Sequence, residues 1–242
     1  MRADRFSLVF IPGLVCDEAV FADQIRALSD LGQCSIADHD NLDSIPAMAQ
    51  AVLRAVPERF VLIGHSMGGR VALEVLRSAP RRVAGIALLD TGYQARPAGE
   101  AGEREAAERM DLLGLARRSG MRVMGQKWLR GMVHPQRLSD SHLVESILAM
   151  IERKTPDIFA AQIRALLARP EAGPLLSSID CPALLLCGRE DSWSPLSRHE
   201  QMAKMILGST LAVIENSGHM SSMERPREVS AALRNWIERV LS

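Results

Sequence analysis

The chain carries no surplus of charge, because its 29 Lys and Arg balance its 29 Asp and Glu. A neutral chain lacks the basic field that draws nucleic acid or an anionic membrane surface, so neither is expected as a partner. It also has no apolar run near the roughly 18 residues needed to cross a bilayer. The opening Met1-Arg2-Ala3-Asp4-Arg5 leads directly into a short apolar segment, with no leader-like apolar core and small-residue cleavage site. A cytoplasmic protein is expected. Cysteine is scarce: Cys16, Cys34, Cys181 and Cys187 form no C-x-x-C pair and have no His at metal-ligand spacing. A disulfide framework is not expected in a chain of 242 residues with that usage. Internal repeats and low-complexity tracts are absent too.

Short apolar runs alternate with longer amphipathic stretches, which is the pattern of a parallel sheet covered by helices. The expected strands are Phe6–Ile11, Cys34–Ala37, Phe60–Ile63, Val83–Leu89, Ala183–Cys187 and Leu211–Ile214. Their near-continuous Val, Ile and Leu content suits strands buried on both faces. Helical periodicity covers Phe21–Leu31, Ile45–Val56, Met67–Ser78, Leu196–Ile206 and Arg227–Leu241. The alternation breaks from about Gln94 to Ser178, where four helical patterns follow one another: Glu103–Arg118, Met121–Met132, Ser141–Arg153 and Asp157–Ala168. Because the strand pattern resumes at Ala183, this stretch reads as a helical lid inserted into one sheet rather than as a separate helical domain. The expected fold class is therefore α/β, a mostly parallel doubly wound sheet. Residues 1–93 and 179–242 would form the core and 94–178 the lid.

The chemistry concentrates after the third strand. There Gly64-His65-Ser66-Met67-Gly68-Gly69 sits between a strand and a helix, a G-x-S-x-G turn in the context its mechanism requires. So sharp a turn strains the serine backbone, and the flanking glycines remove Cβ atoms that would clash. A serine hydroxyl is a poor nucleophile until a base takes its proton. His219 lies in the loop after the sixth strand, at the carboxyl edge that Ser66 shares. The base in turn needs a carboxylate to fix its tautomer. Asp191 follows the fifth strand at that same edge and is the preferred acid, with Asp90 and adjacent Glu190 as rivals. Attack on a carbonyl creates an oxyanion that needs amide donors already in place. The amide of Met67 is one candidate, and the turn Pro12-Gly13-Leu14-Val15-Cys16 offers the other, Leu14 before Val15.

With its Pro12-Gly13 turn, its Gly64–Gly69 elbow, and Asp191 and His219 in that order, nearly the whole chain resembles the α/β-hydrolase fold superfamily of serine hydrolases. The resemblance implies a mostly parallel eight-stranded sheet, of which the six strands match the third to eighth. Phe6–Ile11 starts too early for the first two, which are expected to be missing or supplied differently. Pro12 departs from the His that many members carry before the oxyanion-hole glycine.

The expected reaction is cofactor-free and metal-free hydrolysis of an ester-type bond in a small, mainly apolar substrate through an acyl-enzyme on Ser66. A thioesterase, a lactonase, a C–C bond hydrolase, an acyltransferase or a ligand receptor on the same scaffold are the alternatives. The Leu- and Met-rich lid, with Met110, Met121, Met124, Met132, Met150 and Trp128, suggests short to medium apolar acyl groups. Asp38-His39-Asp40 looks metal-like, but three successive side chains on an extended segment cannot all face one ion, so a solvated loop is expected. His65 is expected to support the turn, and His134, His142 and His199 to lie on lid or helix surfaces.

Overall fold

Each of the six apolar segments expected as strands contributes one to the sheet. The computed structural model describes residues 6–39, 41–56 and 58–242. The Met1–Arg5 segment read for a leader, and Asp40 of the metal-like triplet, lie outside the described residues. Six parallel strands, β1 (Ser7–Ile11), β2 (Gln33–Ile36), β3 (Phe60–His65), β4 (Val83–Leu89), β5 (Ala183–Gly188) and β6 (Thr210–Ile214), form one sheet in the order β2-β1-β3-β4-β5-β6. Every residue of β1, β3, β4 and β5 is buried, which is why these runs are apolar without alternation. The edge strands β2 and β6 are only partly covered.

Strand order sets where the helices go. The chain steps one way from β1 to β2 and the other way through β3 to β6, so right-handed crossovers distribute helices over both faces. Helix α1 (Ala22–Leu28) joins β1 to β2, while α2 (Ile45–Ala55) and α3 (Met67–Ser78) flank β3 and pack on each other. Ser44 caps α2 by accepting from the Ala47 amide at 3.3 Å. The direction reverses between β1 and β3, and a cleft opens outside the carboxyl ends of strands at such a point.

Between β4 and β5 come α4 (Glu100–Ser119), α5 (Met121–Met132), α6 (Ser141–Glu152), α7 (Pro156–Leu167) and the short α8 (Gly173–Leu176). Thr155 caps α7, accepting from the Ile158 amide at 3.2 Å with Pro156 at the first position, where no amide hydrogen is missed. Strand β5 nevertheless pairs with β4, Ile86 opposite Ala183 through Leu89 opposite Leu186, so the sheet continues past the inserted helices. One buried apolar cluster runs from Phe10, Phe60 and Leu88 of the strands to Met124, Ile147 and Phe159 of the insertion. Burying each such side chain stabilises the fold by roughly 1.5–3 kcal/mol. The chain closes with α9 (Leu196–Met205) after β5, a single turn α10 (Ser221–Glu224) and α11 (Pro226–Leu241), which packs against α1. Among the described residues no helix is long and apolar enough to cross a membrane.

Three histidines depart from the surface positions expected of them. His199 is fully buried, because it shares one stripe of α9 with Met202. His134 is buried where its amide meets Glu224. His39 is buried, and its carbonyl accepts the Leu42 amide at 3.1 Å. His142 is exposed as expected.

Candidate active site

Ser66 occupies a backbone conformation that only a locked turn sustains, with φ 53° and ψ −116°. Its amide donates to the Leu89 carbonyl at 2.9 Å, and its carbonyl accepts from the Thr91 hydroxyl at 2.6 Å. The end of β4 and the residues just after it thereby hold both sides of the strained residue. The glycines are needed for close approach: a Cβ on Gly64 would lie 2.5 Å from the Gly68 carbonyl oxygen, and one on Gly68 would overlap the Ile11 carbonyl. Helix α3 can therefore start directly against the end of β1, with the positive end of its dipole toward Ser66.

His219 reaches Ser66 from across the sheet. Its Nε2 is 2.8 Å from Ser66 Oγ, and its Nδ1 is 2.8 Å from Asp191 Oδ2. The other carboxylate oxygen, Asp191 Oδ1, accepts the amides of Trp193 and Ser194 at 2.8 and 2.9 Å. Burial opposes charge on His219, but the Asp191 carboxylate outweighs it, and the histidine pKa is raised above its ordinary 6.5. Burial likewise opposes charge on Asp191, yet His219 and the two amides hold that carboxyl below its usual range.

The rival acids are engaged elsewhere. Glu190 is exposed, and its carboxylate accepts the Ser217 amide at 3.0 Å. Asp90, fully buried at the end of β4, accepts from the Gly188 amide at 2.9 Å and from the Ser221 hydroxyl at 2.5 Å. Burial and the nearby Asp191 charge push its pKa well up. His65 supports the same loop: its Nε2–H donates to the His219 carbonyl at 2.8 Å. Burial first, and His219 second, pull its pKa down to about 4, so it stays neutral.

The turn after β1 comes close because Gly13 has no side chain; a Cβ there would lie 2.9 Å from His65 Nδ1 and 3.2 Å from Ser66 Cβ. Val15, at φ 51°, gives its amide to Gln162 Oε1 of α7 at 2.8 Å and is spent. Among the described residues no hydrogen bond takes up the amides of Leu14 or Met67, and both residues line the cavity above Ser66.

That cavity holds about 840 Å³. Leu14, Met67, Trp128, Met132, Trp193 and Met220 supply apolar wall, with the Trp193 ring 5.0 Å from the His219 ring and stacked on Trp128 at 5.1 Å. Of the five insertion methionines, Met132 alone borders it; Met121, Met124 and Met150 are buried in packing and Met110 is exposed. Arginines also line the cavity, and two of them, Arg169 and Arg109, share Glu105. The inserted helices touch the histidine loop directly, since the His219 amide donates to the Met132 carbonyl at 2.8 Å. Buried Glu224 strengthens that seam by accepting the amides of His134, Gly218 and Met220 at 2.8, 2.9 and 3.3 Å.

Comparison with known proteins shows the family. A model of the alpha/beta hydrolase family matches residues 8–232. The chain belongs to that family. Among relatives of this α/β hydrolase, the pimeloyl-[acyl-carrier protein] methyl ester esterase of Aromatoleum aromaticum is 26% identical over 208 residues, covering 80% of each chain. The (E)-2-((N-methylformamido)methylene)succinate hydrolase of Acinetobacter baylyi is 28% identical over 182 residues, 73% of this chain and 64% of that one. The match thus spans less than two thirds of that relative. A thermophilic esterase from Thermogutta terrifontis, solved with malate bound, superimposes with a TM-score of 0.86 at 26% identity, over 98% of this chain and 91% of that one.

Sequence reasoning about the hydrolase passed over Glu224, Gln162, Trp193 and the cavity arginines. For Trp193 a signal was present, since it stands two residues after Asp191 in the same loop. The others come together only through folding: Val15 and Gln162 are 147 positions apart, and His134 and Glu224 are 90 apart.

Proposed function

We propose that this α/β hydrolase cleaves a carboxylic ester bond of a small substrate through an acyl-enzyme on Ser66. The observation that carries the reading is the continuous chain from Ser66 Oγ through His219 to Asp191, with both links at 2.8 Å. Esterases among the relatives support the ester as the bond.

In this scheme the Asp191 carboxylate accepts a hydrogen bond from His219 Nδ1–H, which holds the proton on that nitrogen and leaves the Nε2 lone pair free to take the Ser66 proton. The Ser66 oxygen then attacks the carbonyl carbon, and the amides of Leu14 and Met67 donate to the oxygen that becomes negative. As the tetrahedral adduct collapses, His219 returns the proton to the departing alcohol. Water enters, gives a proton to His219 and attacks the acyl carbon; as this adduct collapses, His219 passes that proton to the Ser66 oxygen and the acid leaves. Leu14, Met132, Trp128 and Trp193 beside the nucleophile suit an apolar acyl portion. Residues 94–178 act in this reading as a lid over a core of 1–93 and 179–242, which the contact of Met132 with the His219 amide supports. The unpaired Cys16, Cys34, Cys181 and Cys187 suit a reducing compartment such as the cytoplasm. Neither a nucleic acid nor a membrane is a partner in this scheme.

Ester turnover by the S66A protein tests the assignment. A fall of several orders of magnitude is expected, on the order of the 10⁶ seen when the nucleophile of a well-studied triad is removed. Retained turnover would refute the role of Ser66.

A further inference from the structure

Among the described residues, three guanidinium groups in the cavity pair with no carboxylate: Arg96, whose Nη1 donates to the Gly102 carbonyl at 3.2 Å, and Arg70 and Arg198, which converge on one point. Arg70 follows Ser66 by four positions on α3, one turn on and on the same side of the helix. Its Nη1 donates to the Gln94 carbonyl at 2.8 Å, while Arg198 Nη1 donates to the Trp193 carbonyl at 2.9 Å. The two side chains converge over Gly92. The point that a Cβ of Gly92 would occupy lies 3.0 Å from Arg70 Nη2 and 3.3 Å from Arg198 Nη1.

Their neighbours are treated differently. Arg169 and Arg109 divide the Glu105 carboxylate at 2.7 and 3.0 Å. Among the described residues no carboxylate pairs with Arg70 or Arg198, and Nη2 and Nε of both have no acceptor. Burial, then the charges on Arg169 and Arg198, pull the Arg70 pKa down to about 9, which leaves it charged at neutral pH. Two partly desolvated cations held side by side repel each other, and an anion between them would offset both. A guanidinium presents planar paired donors that match the two oxygens of a carboxylate.

Building on the ester-hydrolase reading above, we propose that Arg70 and Arg198 form a carboxylate subsite. The substrate is then an ester that also carries a free carboxylate, separated by a short apolar spacer from the bond cleaved at Ser66. The apolar wall by Trp128 and Trp193 holds the spacer, and the arginines hold the charged end. The site both selects for this class and fixes how far the scissile carbonyl sits from the anion, so one spacer length is preferred.

The test compares matched esters. On the acyl side these are monomethyl and dimethyl esters of glutaric, adipic and pimelic acids. On the alcohol side they are acetyl esters of hydroxy acids, with the carboxylate free or methylated. For the best spacer the parent protein favours the free carboxylate over its capped partner in kcat/KM by tenfold or more. R70Q and R198Q each lower that ratio roughly tenfold to a hundredfold, whereas R118Q, on the exposed end of α4, leaves it as in the parent. A ratio near one at every length, with hydrolysis still abolished by S66A, overturns the subsite and leaves the hydrolase reading standing. Turnover that survives S66A, or no turnover at all, overturns the hydrolase reading instead. Calorimetry of glutarate and adipate binding to the S66A protein then decides the subsite alone. Binding at millimolar or lower concentration that R70Q abolishes supports it; no binding, or equal binding in both proteins, overturns it.

Discussion

Replacing Asp191 by Asn separates the proposed acid from its rival Asp90 in a way the local hydrogen bonds dictate. Asp191 Oδ1 accepts two backbone amides, from Trp193 and Ser194. An Asn at this position must keep its oxygen there, because its NH₂ group cannot accept from those donors. The NH₂ group is thereby turned toward His219 Nδ1, now 2.8 Å from a donor instead of an acceptor. His219 answers by moving its proton to Nε2, the atom facing Ser66 Oγ, and no longer has a lone pair for the serine proton. The equivalent change in a well-studied serine protease lowers turnover about 10⁴-fold, or about 5 kcal/mol at 1.36 kcal/mol per decade. We expect a loss of that order for D191N, read as kcat on an ester substrate, with Tm close to that of the parent. D90N touches Gly188 and Ser221 but neither atom of the relay, and should stay within about tenfold. A D191N protein within tenfold of the parent, or a larger loss in D90N, would refute the reasoning.

Four further outcomes follow from named contacts and one backbone angle. The pH profile of kcat/KM should show an acid limb above 6.5, because His219 has its pKa raised and works only when neutral; activity falls as pH drops through that pKa. A limb well below 6.5 would mean that Asp191 does not hold the imidazolium. E224A leaves three amides of the His134 and His219 loops without their acceptor, so thermal unfolding should show a loss of about 3 kcal/mol or more, and kcat should fall with it. G68A drives a methyl group into the Ile11 and Pro12 carbonyls and should unfold the protein or cost more than about 3 kcal/mol. G99A has open space around it but a φ of 66°, and should cost only about 1 kcal/mol in denaturant titration.

Local patterns and positions along the chain account for what was legible in advance. Ser66 could be read because its turn, its glycines and the flanking strand and helix are contiguous, so the strain and its remedy are written in six residues. Asp191 and His219 could be read because each follows an apolar strand at the carboxyl edge, where a parallel sheet gathers its loops. The edge rule alone does not separate Asp191 from Asp90, since both satisfy it; the preference for Asp191 is supported by the Gly188 amide and the Ser221 hydroxyl that occupy Asp90. Leu14 was preferred to Val15 on the sequence, and the Gln162 side chain of α7 that takes the Val15 amide supports that order. His199 was legible in principle, because His199, Met202 and Ile206 fall on one helical stripe and all three are buried. The cavity arginines were not. Arg70, Arg109, Arg169 and Arg198 come from four separate segments, and each alone looks like the charged side of an amphipathic helix or the loop after one.

The most direct measurement of the central claim is the site of covalent modification by a fluorophosphonate, which forms an adduct only with a serine whose proton a neighbouring base removes. Tryptic cleavage isolates residues 60–70, Phe60 to Arg70, with Ser66 the single serine among them. The account predicts one adduct, on this peptide, formed faster as pH rises through the His219 pKa and absent from the S66A protein. An adduct on another residue, or none while ester hydrolysis proceeds, would contradict it.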